Sequence, residues 1–228
     1  METFGSDFLK RFTEKTGIDV SVNTSASEAA VFRMMNGYSH VAGSMKGLRH
    51  NKPQGQYIEI PFCKDNLAVI GNVGIGVNNL SEQDLQKIFT RSVTNWKEVG
   101  GADQKITVVV PGRDTAAYQN FREQVMKGEK IVHDFMAAQS SDVIDAVRTM
   151  QGSVSFITQG AVVANKGAVK KIRINSYSPK DTEYPYFQTM YFITKKEHGN
   201  AVEKLINFYR NEDGRKIMEN YSMIPISE

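Results

Sequence analysis

The stretch NNLSEQDLQKIFTRSVTNWKEVGGADQKITVVVPGRDTAAYQNF, residues 78–121, does most to define the fold. Its pattern predicts an amphipathic helix over Glu82–Phe89, a continuous apolar strand over Ile106–Val110 and a second helix that follows Arg113. A strand that leads into a helix places the unpaired N–H groups of the first helical turn, with their partial positive charge, at the end of the sheet. With Arg113 in the connecting loop, this order predicts an anion-binding element.

Composition and charge describe an ordinary globular chain of 228 residues, with 40% hydrophobic and 23% charged residues. The formal net charge is +3, and no basic tract interleaves with aromatic residues, so a small anion is favoured over nucleic acid as a ligand. The single cysteine, Cys63, excludes an internal disulfide, and its apolar neighbours predict a buried structural thiol. The four histidines have no metal-ligand spacing, so we expect no metal or other cofactor.

Hydrophobic periodicity predicts strands that alternate with helices, which indicates an α/β architecture. The first helix is predicted from apolar residues at helical spacing that begin at Phe4. Predicted strands include 18–22, 56–62 and 66–71, the last two separated by a turn at Lys64 and Asp65. Predicted helices include 115–127, 130–138 and 141–150.

The order of these elements predicts two lobes, because the chain leaves the first around residues 66–76 and returns around 184–194 through extended sequence. Lobe I is predicted to comprise 1–72 plus 186–228, and lobe II to comprise 73–185, each with a mixed central sheet. Two lobes joined by two extended strands form a hinge around a cleft. Such clefts bind small molecules where helix N-termini converge.

Several motifs resemble a known family. Leu80–Leu85, the Asn-Trp-x-x-x-Gly-Gly element at 95–101, Gly152–Ile157 and Tyr221–Ile226 occur in the order typical of phosphate-binding proteins of ABC transporters. The resemblance implies the type II periplasmic-binding-protein fold, a phosphate or similar oxyanion ligand and an ABC permease in the membrane as partner. It also implies a first strand and a Ser/Gly/Thr-rich loop before the first helix. Because Met1 stands where that loop should end, we expect both to be absent from this sequence, together with a signal peptide.

The resemblance also implies where the ligand contacts lie, in three loops that each keep a hydroxyl. The corresponding residues are Ala26 and Ser27, then Ser44 and Met45, then Arg113, Thr115, Ala116 and Ala117. Met45 stands where an Asp could accept a proton from protonated phosphate, and losing that acceptor predicts weaker discrimination against sulfate. Glu28 brings a negative charge close to the same loops, although a charge in the first turn of a helix is also ordinary helix chemistry.

Most of the candidate side chains also have a purely structural explanation. Ser27 and Thr115 could be N-caps that contribute about 1 kcal/mol each to stability without any ligand. Arg113 could pair with Asp114, although its position in the loop favours contact with a ligand. Trp96 is expected to anchor its turn to the core.

Two functions from different classes remain open. The first is an extracytoplasmic solute-binding protein, a monomer that captures phosphate or a similar oxyanion for an ABC importer. The second is a sensor or interaction module with the same fold and a changed ligand site, which the altered loops favour. An enzyme is not expected, because no nucleophile–base pair or metal spacing occurs. The family implies a periplasmic or extracellular location, with a membrane anchor, if there is one, in a segment outside this sequence.

Overall fold

The computed structural model describes residues 5–48, 55–165 and 169–226. The chain divides into two compact units, Met1–Asp65 with Thr189–Glu228, and Asn66–Gln188. Both predicted boundaries, 72/73 and 185/186, fall inside the second unit. Each crossing between the units lies within a continuous strand, so no turn or change of composition marks it in the sequence.

The described residues form helices and strands in alternation. The helices are α1 (Gly5–Thr16), α2 (Ser27–Met35), α3 (Glu82–Thr90), α4 (Ala116–Gln124), α5 (Ser140–Thr149), α6 (Gln159–Ala164), α7 (Asn200–Arg210) and α8 (Glu212–Asn220). The strands are β1 (Val41–Ser44), β2 (Tyr57–Gly71), β3 (Asn79–Leu80), β4 (Thr107–Pro111), β5 (Phe135–Ala137), β6 (Ser153–Thr158), β7 (Lys170–Ile174), β8 (Phe187–Lys195) and β9 (Ile224–Pro225). None of these helices combines the length and the apolar character needed to cross a lipid bilayer.

The first unit is built on antiparallel pairs. β1 pairs with β8, and the first half of β2 pairs with β9. Aromatic residues of α1 and α7 pack against these strands; Phe8, for example, lies edge-on to Phe208 with 5.1 Å between ring centroids. A smaller cluster joins α2 to β1 through Val31, Met34 and Ala42. The two clusters hold the N-terminus of α2 and the carboxyl end of β1 in defined places.

The second unit contains a mixed sheet with helices on both faces. β4 runs parallel to β5 and to β6, whereas β2 is antiparallel to β6 and to β7. One face packs against α3 and α4, and the other against α5 and α6. Since the parallel strands β4 and β5 are followed directly by α4 and α5, both helices begin at the carboxyl edge of the sheet.

The quoted stretch folds as predicted. α3 and β4 appear at the expected places, and Ser81 begins α3 with a capping box to Asp84. Trp96 is fully buried and its indole N–H donates to the Gly152 carbonyl at 2.9 Å, which confirms that it anchors the turn to the core. Cys63 is likewise buried, and burial raises the pKa of its thiol.

Three predicted elements are wrong. The strands at 56–62 and 66–71 form one strand, β2, because Lys64 pairs with Ile224 and the buried Asp65 continues the extended backbone. Residues 18–22 are not a strand; Ile18 and Val20 pack against the core without joining a ladder of the described residues. Residues 130–138 are not a helix, since 135–137 pair with β4 as β5. Phe4, the expected start of the first helix, lies outside the described residues.

Candidate functional site

The loop from β4 to α4 carries the predicted residues of the second unit. Thr115 is the N-cap of α4, with φ −70° and ψ 148°, and its hydroxyl accepts from the Tyr118 N–H at 3.2 Å. The same hydroxyl donates to the Gly112 carbonyl at 2.7 Å. A hydroxyl has one proton, so Thr115 has no donor left for an anion in this arrangement. The N-cap explanation for Thr115 is confirmed.

Arg113 lies in the same loop with its side chain exposed. No carboxylate among residues 5–48, 55–165 and 169–226 forms an ion pair with it, so the structure does not show the pair with Asp114. The Asp114 carboxylate instead lies beside Gly112, with one oxygen 3.0 Å from where a Cβ would stand. A guanidinium without a protein partner is available for a bidentate contact with an oxyanion.

The first turn of α4 supplies backbone donors beside this arginine. The Gln119 N–H donates to the Thr115 carbonyl at 3.2 Å, and the Tyr118 N–H is taken by the cap. The N–H groups of Ala116 and Ala117 have no acceptor among the described residues. Their contribution does not depend on side-chain identity, which explains how alanines can stand at positions predicted to contact a ligand.

In the first unit, the predicted residues Ala26, Ser27, Ser44 and Met45 come together at the start of α2. Ala26 is the N-cap, and its side chain offers no capping group. The Ser27 hydroxyl accepts from the Met45 N–H at 3.1 Å, which ties the end of β1 to α2. Ser27 is therefore not the N-cap, and the cap explanation is wrong for it. Its hydroxyl proton has no acceptor among the described residues.

Ser44 and Met45 are directed towards the protein. Ser44 is buried; its hydroxyl donates to the Lys46 carbonyl at 2.6 Å and accepts from the Lys46 N–H at 3.1 Å. Its proton is thus engaged in shaping a turn. The Met45 side chain packs against the aromatic core of α1 and α7, which confirms its interpretation as a packed hydrophobe.

Lys46 is the polar residue of this region that the sequence did not single out. Its ammonium lies 3.5 Å from the Glu28 carboxylate, in the first turn of α2. The next stretch of the same loop is held by Glu59, which accepts from the Leu48 N–H. The sequence does show a basic residue directly after Ser44 and Met45, and an acid at the start of α2. It does not show that the two are close, because the Ser27–Met45 hydrogen bond brings them together.

The chemistry that these groups offer is anion binding. In the described parts of the chain, no three His, Cys, Asp or Glu side chains are placed to hold a metal ion. In the second unit, the available donors are the Arg113 guanidinium and the N–H groups of Ala116 and Ala117. In the first unit, the Ser27 hydroxyl keeps its proton. Donors of both kinds suit a small oxyanion, which needs many donors and few uncompensated charges.

The mixed α/β fold of the chain is that of the type II periplasmic binding proteins. The chain belongs to the family described as the PBP superfamily domain, whose model matches residues 1–212. The predicted fold class is confirmed.

Individual relatives agree with this assignment. The chain is 23% identical to the protein SphX of Synechococcus elongatus, over 99% of this chain and 73% of SphX. It is 26% identical to the phosphate-binding protein PstS of Bacillus subtilis, over 71% of this chain and 57% of PstS. A crystal structure from Clostridium perfringens, described as a phosphate ABC transporter substrate-binding protein with bound phosphate, superposes with a TM-score of 0.86 at 21% identity, covering 98% of this chain and 95% of that one.

Proposed function

We propose that the chain captures phosphate, or a similar tetrahedral oxyanion, outside the cytoplasmic membrane and delivers it to an ABC permease. It acts as a monomer, without nucleic acid or cofactor. The relatives named for phosphate binding and for ABC phosphate transport support this role. Contacts to the anion come from Arg113, Ala116 and Ala117 in the second unit, and from Ala26 and Ser27 in the first.

One observation carries the proposal. Arg113 has no ion-pair partner among the described residues. The capped turn that follows it leads to the N–H groups of Ala116 and Ala117, which have no hydrogen-bond acceptor among the described residues. Arg113 is exposed and Ala116 and Ala117 are half-buried, so water can satisfy these donors in the empty protein, and an oxyanion that replaced this water would meet a guanidinium and two N–H groups in one loop. Thr115 supports this loop through the cap. In the first unit, Ser44 and Met45 support the loop after β1 through its turn and the core, and any contact that these three residues make with the anion is secondary.

The test is equilibrium dialysis with radiolabelled phosphate on wild type, Arg113→Met and Arg148→Met. Arg148 is a matched control because it is an exposed arginine of the same unit, at the far end of α5. Loss of a charge-assisted bidentate contact amounts to about 3 kcal/mol, so Arg113→Met should weaken binding by roughly 100-fold. Arg148→Met should bind as wild type does.

Equal phosphate affinities of Arg113→Met and Arg148→Met would show that Arg113 does not contact the anion. Binding by neither variant nor wild type, with all three folded, would instead favour the second candidate, a sensor or interaction module. The observation behind that alternative is that two of the expected hydroxyl donors, Ser44 and Thr115, donate to backbone carbonyls.

A further inference from the structure

A line of side-chain amides runs along α4 from its last turn to its first. The Gln124 Nε2 donates to the Asn120 Oδ1 at 3.1 Å, and the Asn120 Nδ2 donates to the Ala116 carbonyl at 2.9 Å. Residues four positions apart lie above one another on the same face of a helix, which makes both contacts possible. The line ends on the carbonyl of the peptide that carries the Ala117 N–H, a donor with no acceptor among the described residues.

Phe187, the first residue of β8 and still part of the second unit, fixes the direction of this line. Its N–H donates to the Gln124 Oε1 at 2.9 Å, and its carbonyl accepts from the Gln124 Nε2 at 2.7 Å. A backbone N–H can only donate and a carbonyl can only accept, so the two ends of the Gln124 amide cannot be exchanged here. The second hydrogen of Nε2 is left for Asn120, which therefore accepts at its oxygen and donates from its nitrogen.

We propose that Asn120 and Gln124 are positioning residues of the anion site, and that they strengthen the Ala117 N–H as a donor to the bound anion. This inference rests on the proposed function, because it concerns one of the N–H groups assigned to the anion. An amide whose oxygen accepts a hydrogen bond becomes more polarised, and its own N–H becomes a better donor, so aligned amides reinforce one another. Both side chains act through the Ala116–Ala117 peptide rather than by contact with the anion.

The other unpaired N–H of α4, that of Ala116, lies outside this line. It belongs to the peptide whose carbonyl is that of Thr115, and that carbonyl accepts from the Gln119 N–H at 3.2 Å. No side-chain amide of the described residues donates to it, whereas the Ala116 carbonyl has the Asn120 Nδ2. The two N–H groups are therefore not equivalent, and only the Ala117 N–H is supported by the two side-chain amides.

The test is calorimetric titration of phosphate into wild type, Asn120→Ala and Gln124→Ala, with a matched control for each variant. Asn165→Ala removes the same kind of bond, from an asparagine Nδ2 to an alanine carbonyl four residues earlier, just after α6. Gln86→Ala removes an amide bond to the carbonyl of Val125, so it loosens the far end of α4 without interrupting the line. Melting temperatures show that each protein is folded, and Gln124→Ala tests the same line if Asn120→Ala does not fold.

Asn120→Ala should weaken phosphate binding by about threefold, since one aligned bond strengthens its neighbour by only about 10–30%. Gln124→Ala should weaken it by about twofold, because its effect reaches the Ala117 N–H through one more hydrogen bond. Asn165→Ala and Gln86→Ala should bind phosphate as wild type does, even where their melting temperatures fall.

A second measurement separates polarisation from a merely structural role. In proton–nitrogen correlation spectra of the phosphate-free protein, Asn120→Ala should move the Ala117 amide proton to lower frequency, as expected of a less polarised N–H. Gln124→Ala should move it in the same direction, although Gln124 lies two turns of the helix away. The Ala116 amide proton should move less in both variants.

Three results would overturn the inference while leaving the proposed function intact. The first is wild-type phosphate affinity in both Asn120→Ala and Gln124→Ala, and the second is an Ala117 amide proton that neither variant moves. The third is an equal loss of affinity in Gln86→Ala, which would mean that any loosening of α4 weakens the site. Failure of folded wild type to bind phosphate would overturn the proposed function and this inference together.

Discussion

The helix starts of α4 and α2 serve the same proposed purpose with different chemistry. α4 is capped by Thr115 and has Arg113 beside it, so its charge comes from a side chain and its hydroxyl is engaged. α2 has no capping side chain, and Ser27 keeps its hydroxyl proton while Lys46 stands paired with Glu28. The difference indicates that a hydroxyl in a proposed binding loop can be either a structural group or a donor. The hydrogen bond that its proton makes decides between the two roles.

After the roughly 100-fold loss expected for Arg113→Met, the next largest effect should come from the backbone donors of α4. Ala116→Pro removes one unpaired N–H while keeping the helix, because proline is favoured at the first helical position and Thr115 has the extended backbone that proline requires. Loss of one hydrogen bond to a charged acceptor costs about 2 kcal/mol, so phosphate affinity should fall by roughly 30-fold with Tm unchanged.

Asn200→Pro is the matched control for that substitution, since Asn200 opens α7 after Gly199, which is also extended. It should change neither Tm nor phosphate affinity. Calorimetric titration of both variants gives the answer, and equal affinities would show that the N–H groups of α4 face no ligand.

A smaller loss of affinity is expected when the free hydroxyl of α2 is removed. Ser27→Ala deletes the donor, and phosphate binding should weaken by about tenfold, which corresponds to about 1.5 kcal/mol, the low end of the range for one hydrogen bond to a charged group. The Met45 N–H also loses its acceptor, so Tm should fall slightly. Ser25→Ala, an exposed serine two residues earlier, serves as control. If Ser27→Ala lowered Tm alone, the role of Ser27 would be structural, as that of Thr115 is.

The opposite pattern is expected for the cap of α4. Thr115→Ala should lower the free energy of unfolding by about 1 kcal/mol, the usual cost of a lost N-cap, and change phosphate affinity less than threefold. Thr115→Ser keeps both hydrogen bonds of the hydroxyl and should behave as wild type. Urea unfolding together with phosphate titration separates the two effects. A large loss of affinity with stability retained would mean that the Thr115 hydroxyl turns to the ligand.

The smallest effect concerns the pH dependence of stability. A variant of His198 tests whether the pH dependence of phosphate binding comes from the protein or from the anion. The hydrogen bond to Glu203 raises the pKa of His198 above its ordinary value of 6.5. A raised pKa in the folded state means that the stabilisation is fully present below about pH 6.5 and is lost as pH rises through the folded value. His198→Gln should therefore lower Tm slightly at pH 5.5, and less at pH 8.5.

The same variant should leave the pH dependence of phosphate affinity unchanged. His198 precedes α7, and no described contact joins it to α2 or to the loop that carries Lys46. Calorimetry at the two pH values checks this expectation. A changed pH profile of binding in His198→Gln would assign part of that profile to the protein.

Much of the fold could be predicted because local patterns and tertiary packing agree. The periodicity of α3, the apolar run of β4 and the element around Trp96 each specify a buried face that the structure uses. The prediction of a turn at Lys64 and Asp65 was wrong, because charged residues can continue a strand when a neighbouring strand pairs with them, as β9 pairs with β2 at Lys64. Residues 135–137 likewise form β5 because β4 offers a free edge, which no local pattern records.

The candidate site was predictable only in part. Arg113 and the start of α4 follow from the order of strand, loop and helix. The roles of Ser27, Ser44 and Thr115 depend on whether the hydroxyl proton of each residue already has an acceptor. Backbone groups such as the Met45 N–H and the Gly112 carbonyl decide this. Lys46 escaped notice because its proximity to Glu28 arises between residues 18 positions apart in sequence, joined by the contact of β1 with α2.

The most direct test of the central claim is calorimetric titration of the wild-type chain with phosphate at neutral pH, with a neutral solute of similar size as blank. The account predicts one site per chain with a Kd of about 1 µM or tighter, or roughly 8 kcal/mol of binding free energy. The absence of binding heat and of any phosphate-dependent rise in Tm, in a protein with a cooperative unfolding transition, would contradict it.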